Sequence, residues 1–289
     1  YLKKKRSPKV INIGNAIVDS IPYKNYKYWK EGLITGAIMV LKMKNNNIIE
    51  VEKEGYIRII TINRPPVNAL NHNTLEKLNE VLEKFQDDDE VRALIITGKK
   101  VFSGGADVKD FAPDYHEQFM RIERYKKPLI AAINGYALGG GADLATSCHF
   151  RIIAENATIG FPEINRGVIA GGGTTQRIPR LIGKAKALEL LLFGNILSAD
   201  DALKIGLVNK VSKSDELMRD AKEYAKELAK KPPVVVRCTI DSIIRGLDTT
   251  IDKALEIEAE NIAKVVSTED FIEGISAFIE KREPKFKGK

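Results

Sequence analysis

Three consecutive glycines at positions 139–141, within "GYALGGGADLATSCHF", stand directly before a segment with a helical pattern. Glycine is the poorest helix former after proline, so a triple glycine at a helix start costs conformational entropy. A second glycine-rich loop, "FSGGADVKDF", follows the apolar run "ALIITG" in the same way. A strand, a glycine loop and a helix aim several backbone N–H groups at one point beyond the strand end. Two such loops restrict the possible folds more than any other feature of the chain.

The segments around the two loops alternate between strand and helix patterns. "IIEVEKEGYIRIITIN" predicts a β-hairpin, "VRALIITG" and "PLIAAING" predict buried strands, and "FRIIAENATIGFPE" predicts two more. "NTLEKLNEVLEKF" places Leu75, Leu78, Leu82 and Phe85 on one helical face, with Asn73 as the expected N-cap. This alternation predicts an α/β fold with right-handed crossovers.

After about residue 172 the pattern becomes helical. Helices are predicted in "AKALELLLFG", in "SADDALKIG" with Ser198 as its cap, and in three longer segments, "SDELMRDAKEYAKELAKK", "TIDKALEIEAENIAKVV" and "STEDFIEGISAFIEKREP". We therefore expect one domain over residues 48–289, with a core over 48–230 and a helical region over 231–289.

The net charge of +7 is concentrated at the start of the chain. Residues 1–47 hold ten Lys and Arg against two Asp and Glu, whereas residues 48–289 hold 36 against 37. The first segment is interpreted as a basic leader or linker, with Met43 standing where a compact domain could begin. The nearly neutral remainder argues against nucleic-acid binding.

The composition indicates the compartment. The longest apolar run, "LITGAIMVL", is far shorter than the ~20 residues that span a bilayer. Cys148 and Cys238 are isolated, which favours a reducing compartment and two small core side chains. We expect a cytoplasmic protein.

Two carboxylates accompany the glycine loops. Loops from successive strands could bring two N–H donors to one oxygen, which is an oxyanion hole. Asp143 falls in the first turn after the glycines, and Glu163 follows in "GFPEINRG". Together they could perform general acid and base work at carbon. Taken singly, each residue is more often a helix-start residue, and a glycine loop is more often a tight turn.

Other chemistries lack their motifs. Neither loop ends in Gly-Lys-Ser/Thr or has the GxGxxG spacing of dinucleotide sites, and no GxSxG is present. His72, His116 and His149 have no companions at metal-ligand spacing. No metal site is expected.

The combination resembles the crotonase superfamily, the enoyl-CoA hydratase/isomerase family. The matching stretches are "NRPPVNALN", "FSGGADVKDF", "KKPLIAAINGYALGGGADLATSCHFRIIAENATIGFPEI", "GGGTTQRIPRLIGKAKALELLLFGNILSADDALKIGLVNKV" and "GISAFIEKREPKFKG". The resemblance implies a spiral of ββα turns with a helical C-terminal trimerisation region, assembled as a homotrimer or a dimer of trimers. It also implies an acyl-CoA thioester substrate and no cofactor beyond the coenzyme A of that substrate.

The resemblance also implies site residues. The thioester oxygen would accept hydrogen bonds from the backbone N–H groups of Ala106 and Gly140. The substrate and its coenzyme A would lie against Ala106, Asp107, Val108, Lys109, Gly139 and Gly141. A tail lysine, Lys285 or Lys287, could meet the coenzyme A phosphates.

In hydratases of the family, one glutamate activates water for attack at Cβ and a second exchanges a proton with Cα. Glu163 matches the second, whereas the first position holds Asp143, one methylene shorter. The leading interpretation is an enoyl-CoA hydratase, a lyase of fatty acid metabolism that hydrates a short- or medium-chain 2-enoyl-CoA of the crotonyl-CoA type. The alternative is a 3,2-enoyl-CoA isomerase that uses Glu163 alone.

Further alternatives belong to other classes. An RNA-binding relative of this fold would show salt-dependent affinity that survives deletion of residues 1–42. A catalytically degraded subunit kept for its trimer surface is a third interpretation. The linker-like start also suggests a fusion with a 3-hydroxyacyl-CoA dehydrogenase.

Overall fold

The computed structural model describes residues 11–13, 16–18, 48–110 and 115–289. The chain divides into two units, Tyr1–Asn46 and Asn47–Lys289. In the first unit, β1 (Ile11–Ile13) pairs antiparallel with β2 (Ala16–Val18). The rest of the predicted leader over 1–47, including Met43, lies outside the described residues. The predicted boundaries after residues 47 and 230 stay predictions.

Six strands form the main sheet of the second unit. They are β3 (Ile49–Glu54), β4 (Ile57–Ile62), β5 (Ala93–Gly98), β6 (Leu129–Ile133), β8 (Phe150–Ala154) and β11 (Lys210–Ser212). Their order is β11-β8-β6-β5-β4-β3, and all neighbours are parallel except the β3–β4 hairpin. Every residue of β5 and β6 is buried, as expected for central parallel strands covered on both faces. The predicted hairpin and the predicted apolar strands are confirmed.

A smaller sheet shows how the chain winds. It contains β7 (Tyr136–Leu138), β9 (Thr158–Gly160) and β10 (Ile196–Ser198). β6 lies beside β8 in the main sheet, and their successors β7 and β9 lie side by side in the small one. Ser103, which follows β5, forms a parallel bridge with Ala137 of β7. Successive passes therefore repeat one two-strand path, and the predicted α/β spiral is confirmed.

Helices pack around the two sheets. Those of the described residues are α1 (His72–Gln86), α2 (Tyr115–Glu123), α3 (Gly140–Ser147), α4 (Thr174–Ile182), α5 (Lys184–Phe193), α6 (Ala199–Lys204), α7 (Leu217–Ala229), α8 (Pro233–Leu247), α9 (Ile251–Val266) and α10 (Glu269–Glu280), with a 3-10 helix over Pro162–Arg166. The predicted helical C-terminal region is confirmed. Among the described helices, none combines the length and the apolar character that crossing a membrane requires.

The start of α1 corrects one prediction. Helix α1 buries Leu75, Leu78 and Leu82, as their spacing predicts. Its N-cap is Asn71, whose side chain accepts a hydrogen bond from Thr74 N at 3.0 Å, and not Asn73. The helix begins two residues before the position expected with Asn73 as its cap, because Asn71 has the extended backbone that a capping residue needs.

Helix α8 was not predicted. The sequence pattern assigned residues 233–247 to no helix of their own, but Pro232 is the N-cap of α8 and Pro233 its first residue. Proline fits there because the first helical residues have no intrahelical acceptor for an N–H group.

Candidate active site

The loop after β5 presents the N–H group of Ala106. Leu70 N donates to Gly105 O at 2.7 Å, and Asp107 N donates to Leu70 O at 2.7 Å. These two hydrogen bonds form a parallel bridge between Leu70 and Ala106. In such a bridge the middle residue directs its own N–H away from the bonded neighbour. Among the described residues, no hydrogen bond from Ala106 N is found. The amide is therefore available to a ligand.

The segment before α1 holds this loop. Ser103 Oγ donates to Asn68 O at 2.8 Å, and Asn68 Nδ2 donates to Val101 O at 2.6 Å. Arg64 Nη2 lies 2.6 Å from Asp107 Oδ2, and Lys109 N donates to Asp107 Oδ1. Burial alone would raise the pKa of Asp107, but these two hydrogen bonds outweigh it, so the pKa of Asp107 is lowered. Sequence reasoning assigned no role to Arg64 or Asn68, although both lie in the matching stretch "NRPPVNALN".

The second loop presents the N–H group of Gly140. Gly139 N donates to Gly160 O at 2.9 Å, so the chain turns from β7 into α3, and Gly140 is the first residue of α3. The first N–H groups of a helix have no intrahelical partner. A Cβ atom built on Gly140 would lie 2.8 Å from Ala106 N, and one on Gly105 would lie 3.6 Å from Gly140 N. The structure thus brings the two predicted oxyanion donors together.

Close approach explains the triple glycine. A Cβ atom on Gly139, whose φ is +52°, would lie 2.9 Å from Glu163 Oε1, and one on Gly141 would lie 2.4 Å from Ser103 O. A side chain at Gly141 is excluded because it would collide with backbone, and one at Gly139 would need a left-handed backbone and would displace the Glu163 carboxylate. The glycines therefore bring the α3 start against both the first loop and Glu163.

Asp143 lies in the first turn of α3 and is 3% exposed. Its N–H donates to Gly139 O at 2.9 Å, and among the described residues its buried Oδ1 has no hydrogen-bond partner. Burial raises the pKa of the Asp143 carboxyl well above its usual range, and the Glu163 carboxylate raises that pKa further, while the Arg177 guanidinium lowers it. A buried carboxyl with a raised pKa beside a second acid is typical of a catalytic pair.

Glu163 reaches the same place from the 3-10 helix. Pro162 begins that helix directly after β9 and Phe161, as the sequence predicted. Oε2 of Glu163 is buried and, within the described part of the chain, has no hydrogen-bond partner. Burial raises the pKa of Glu163, whereas its own backbone N–H and Arg166 act against the rise. An unpartnered buried oxygen on each of two carboxyls suits a water molecule between them.

The other predicted contact residues lie beside the first loop. Val108 is 83% exposed and Lys109 is exposed, so both are open to a ligand. The Asp107 carboxylate is already engaged by Arg64, which leaves its backbone for substrate contact.

The tail lysines are placed elsewhere. Lys287 lines a groove with Val91 and Pro128, at the amino ends of β5 and β6. The glycine loops follow the carboxyl ends of the same strands, so within one chain Lys287 does not reach the Ala106 loop. That Lys285 or Lys287 meets the coenzyme A phosphates stays a prediction.

The histidines and cysteines agree with their structural interpretations. His149 Nδ1 accepts a hydrogen bond from Leu129 N at 3.0 Å, and burial lowers the pKa of His149 to about 4. Cys148 and Cys238 are buried free thiols. No group of three or more potential metal ligands occurs in the part of the chain that the structure describes.

A strand spiral that presents two free amides and two facing carboxyls defines a crotonase-type protein. A family model described as enoyl-CoA hydratase/isomerase matches residues 52–289, so the chain belongs to this family.

Several relatives agree with this assignment. The chain is 43% identical to the short-chain-enoyl-CoA hydratase of Clostridium acetobutylicum over 254 residues, which cover 83% of this chain and 97% of the relative. It is 41% identical to the crotonyl-CoA hydratase of Syntrophomonas wolfei over 258 residues, which cover 84% and 99%. The crystal structure of an enoyl-CoA hydratase from Bacillus anthracis superposes with a TM-score of 0.79 at 35% identity. The match covers 84% of this chain and 100% of that structure's chain. The predicted family and fold class are confirmed.

Proposed function

We propose that the protein catalyses reversible syn addition of water to a short- or medium-chain 2-enoyl-CoA of the crotonyl-CoA type, giving a 3-hydroxyacyl-CoA. The enzyme class, an enoyl-CoA hydratase and thus a hydro-lyase acting on acyl-CoA, is confirmed by the family model and the relatives. The observation that carries the mechanism is the pair Asp143 and Glu163, beside two amides; within the described residues each carboxyl has a buried unpartnered oxygen and both amides are free.

The residues divide the reaction between them. The thioester oxygen accepts hydrogen bonds from Ala106 N and Gly140 N, which stabilise the enolate at the positive end of α3. Asp143 takes a proton from water as the water oxygen bonds to Cβ, and Glu163 gives its proton to Cα. The O–H bonds of water and of Glu163 and the C=C π bond break, while the C–O, C–H and Asp143 O–H bonds form. The proton gained by Asp143 therefore balances the proton lost by Glu163.

One observation favours the alternative, a 3,2-enoyl-CoA isomerase. The raised pKa of Asp143 opposes its ionisation, and its side chain is one methylene shorter than the glutamate that family hydratases use. An isomerase moves one proton within an enolate and needs Glu163 alone.

The two functions are separated by assaying both substrates. Crotonyl-CoA hydration is followed by loss of the conjugated enoyl-thioester absorbance, with Asp143→Ala, Glu163→Gln and the exposed control Asp200→Asn. We expect rapid hydration that either site substitution abolishes and the control retains. Absence of hydration, together with 3-enoyl-CoA isomerisation that survives Asp143→Ala, would overturn the hydratase mechanism.

The assembly and setting are proposals of the same kind. A homotrimer or dimer of trimers is supported by exposed apolar side chains on α10, among them Ile272, Phe278 and Ile279. We propose a cytoplasmic enzyme that needs no cofactor beyond the coenzyme A of its substrate. A fusion partner that oxidises the product, a 3-hydroxyacyl-CoA dehydrogenase, stays a proposal that the mass of the endogenous protein tests.

A further inference from the structure

We propose that Arg177 is a positioning residue that serves the Asp143 half of the reaction and not the Glu163 half. It holds the Gly172 peptide against the Asp143 carboxyl and supplies the positive charge that faces this carboxyl. The inference rests on the proposed hydratase function and assigns a task to a residue that does not itself contact the reacting atoms.

The guanidinium of Arg177 joins two elements next to the site. Arg177 lies in α4 and is 5% exposed. Its Nε donates to Glu123 Oε2 at 3.1 Å, and its Nη2 lies 3.1 Å from the same oxygen. Its Nη1 donates to Gly172 O at 3.1 Å. The side chain therefore ties the loop before α4 to the end of α2.

Gly172 forms the wall behind the Asp143 carboxyl. A Cβ atom on Gly172 would lie 2.8 Å from both Cγ and Oδ2 of Asp143, and also 2.8 Å from Cδ2 of Phe119. The backbone at Gly172 is left-handed, with φ of +59°. Because Arg177 holds the carbonyl of this same residue, a shift of the guanidinium moves the surface against which Asp143 packs. Displacement on the order of 1 Å costs about a hundredfold in rate.

The charges around Asp143 make the effect selective. Glu163 faces Asp143 from the 3-10 helix and raises its pKa, while Arg177 faces it from α4 and lowers it. Glu123 of α2 pairs with Arg177, and the Cys148 thiol at the end of α3 is kept neutral by burial. Arg166, and not Arg177, is the cation that lowers the pKa of Glu163. Loss of Arg177 should therefore disturb Asp143 far more than Glu163.

The first test compares two reactions of Arg177→Met. Crotonyl-CoA hydration requires both acids, whereas exchange of a Cα proton of butyryl-CoA with D2O requires Glu163 and the amides only. We expect hydration kcat to fall about a hundredfold, with exchange within about threefold of the parent rate. The control Arg180→Met changes an exposed arginine of the same helix and should leave both rates unaltered.

The second test is the pH profile of kcat/KM for hydration. Its acid limb marks the pH below which the Asp143–Glu163 pair takes up a second proton. Arg177→Met should move this limb to higher pH, whereas Arg177→Lys, which keeps the charge, should leave the limb in place and lower kcat. Glu123→Gln removes the countercharge, keeps the packing and should move the limb to lower pH.

Opposite shifts for Arg177→Met and Glu123→Gln support the proposal, because loss of packing alone would not move the limb in opposite directions. Parallel loss of hydration and exchange, or an unmoved acid limb in a folded Arg177→Met enzyme, would overturn it. If Arg177→Met does not fold, Glu123→Gln and Arg177→Lys decide the question by the same criterion. Failure of the parent enzyme to hydrate crotonyl-CoA would instead overturn the proposed function.

Discussion

At the scale of single residues, Gly140 lets the two glycine loops approach each other closely. Its backbone is helical and not left-handed, so a methyl group there brings no backbone strain and improves helix propensity. The same methyl group would lie 2.8 Å from Ala106 N, where the thioester oxygen is expected to bind.

We therefore predict that Gly140→Ala lowers kcat for crotonyl-CoA by about 10²–10³, the usual cost of a lost oxyanion donor. The midpoint of thermal unfolding should also fall, because a Cβ atom 2.8 Å from the backbone N of Ala106 forces the two glycine loops apart. The control is Gly274→Ala in α10, where a Cβ atom would meet Phe286 only at the ordinary distance of 3.5 Å. Full activity of Gly140→Ala would contradict the assigned oxyanion hole.

Asp143 gives a second prediction at this scale, in which stability depends on pH. An acid whose pKa is higher in the folded than in the unfolded state binds its proton more tightly when folded. Its contribution to stability is present below the unfolded pKa and is lost as the pH rises through the folded pKa. Burial and Glu163 raise the pKa of Asp143, so the ionised carboxyl destabilises the fold at neutral and alkaline pH.

Asp143→Asn should accordingly raise the unfolding temperature at pH 8, by about 2–4 °C for each kcal/mol of burial penalty that the substitution removes. It should also abolish hydration. The difference should shrink as the pH is lowered in a calorimetric series. The control Asp200→Asn changes an exposed acid and should show no such trend. A destabilised Asp143→Asn at pH 8 would show that the carboxylate is favourably held.

At the scale of elements, α10 fastens the end of the chain. The buried Asp270 carboxylate accepts Lys287 N at 2.7 Å and Gly288 N at 2.8 Å, and one turn later Glu273 accepts Lys285 N at 2.7 Å. From the side of the main sheet, Arg92 donates to Phe286 O at 3.1 Å. The tail therefore joins the helical region to the core.

We predict that Asp270→Ala lowers the free energy of unfolding by about 1–3 kcal/mol, because the amides of Lys287 and Gly288 lose a charged acceptor. Limited proteolysis should also remove the tail faster. The adjacent control Glu269→Ala changes an exposed residue of the same helical turn and should alter stability by less than about 0.5 kcal/mol. Equal behaviour of the two variants in urea unfolding would contradict this fastening.

Elements with a strong local signal were predictable from the sequence. The leucine spacing predicted α1, and the apolar runs predicted β5 and β6, because these patterns directly reflect burial. Helix α8 was missed because a proline pair is compatible with either a helix end or a helix start. The site carboxyls and glycines were predicted, but Arg64 and Arg177 were given no positioning role. Their function depends on partners 43 and 54 residues away, which no local pattern displays.

At the scale of the whole molecule, the exposed face of α10 has no cover within the described residues of one chain. Ile272, Ile275, Phe278 and Ile279 recur at helical spacing on this face, with exposures from 51% to 83%. Contiguous apolar surface of this kind is rare on a monomer and typical of a subunit interface. The proposed trimer would bury it against further copies of the chain.

We predict that the protein sediments as a trimer or hexamer at micromolar concentration. Phe278→Asp with Ile279→Asp should shift it to a smaller species, because two carboxylates would have to be desolvated in the interface. The control Glu80→Lys changes the charge at an exposed position on α1 and should leave the sedimentation coefficient unaltered.

Since Lys287 does not reach the Ala106 loop of its own chain, the activity of the dissociated species also tests whether one chain binds coenzyme A alone. Retained KM for crotonyl-CoA would indicate that each chain binds coenzyme A alone, whereas a raised KM would indicate that a neighbouring copy completes the site. A parent protein that remains monomeric would contradict the proposed trimer.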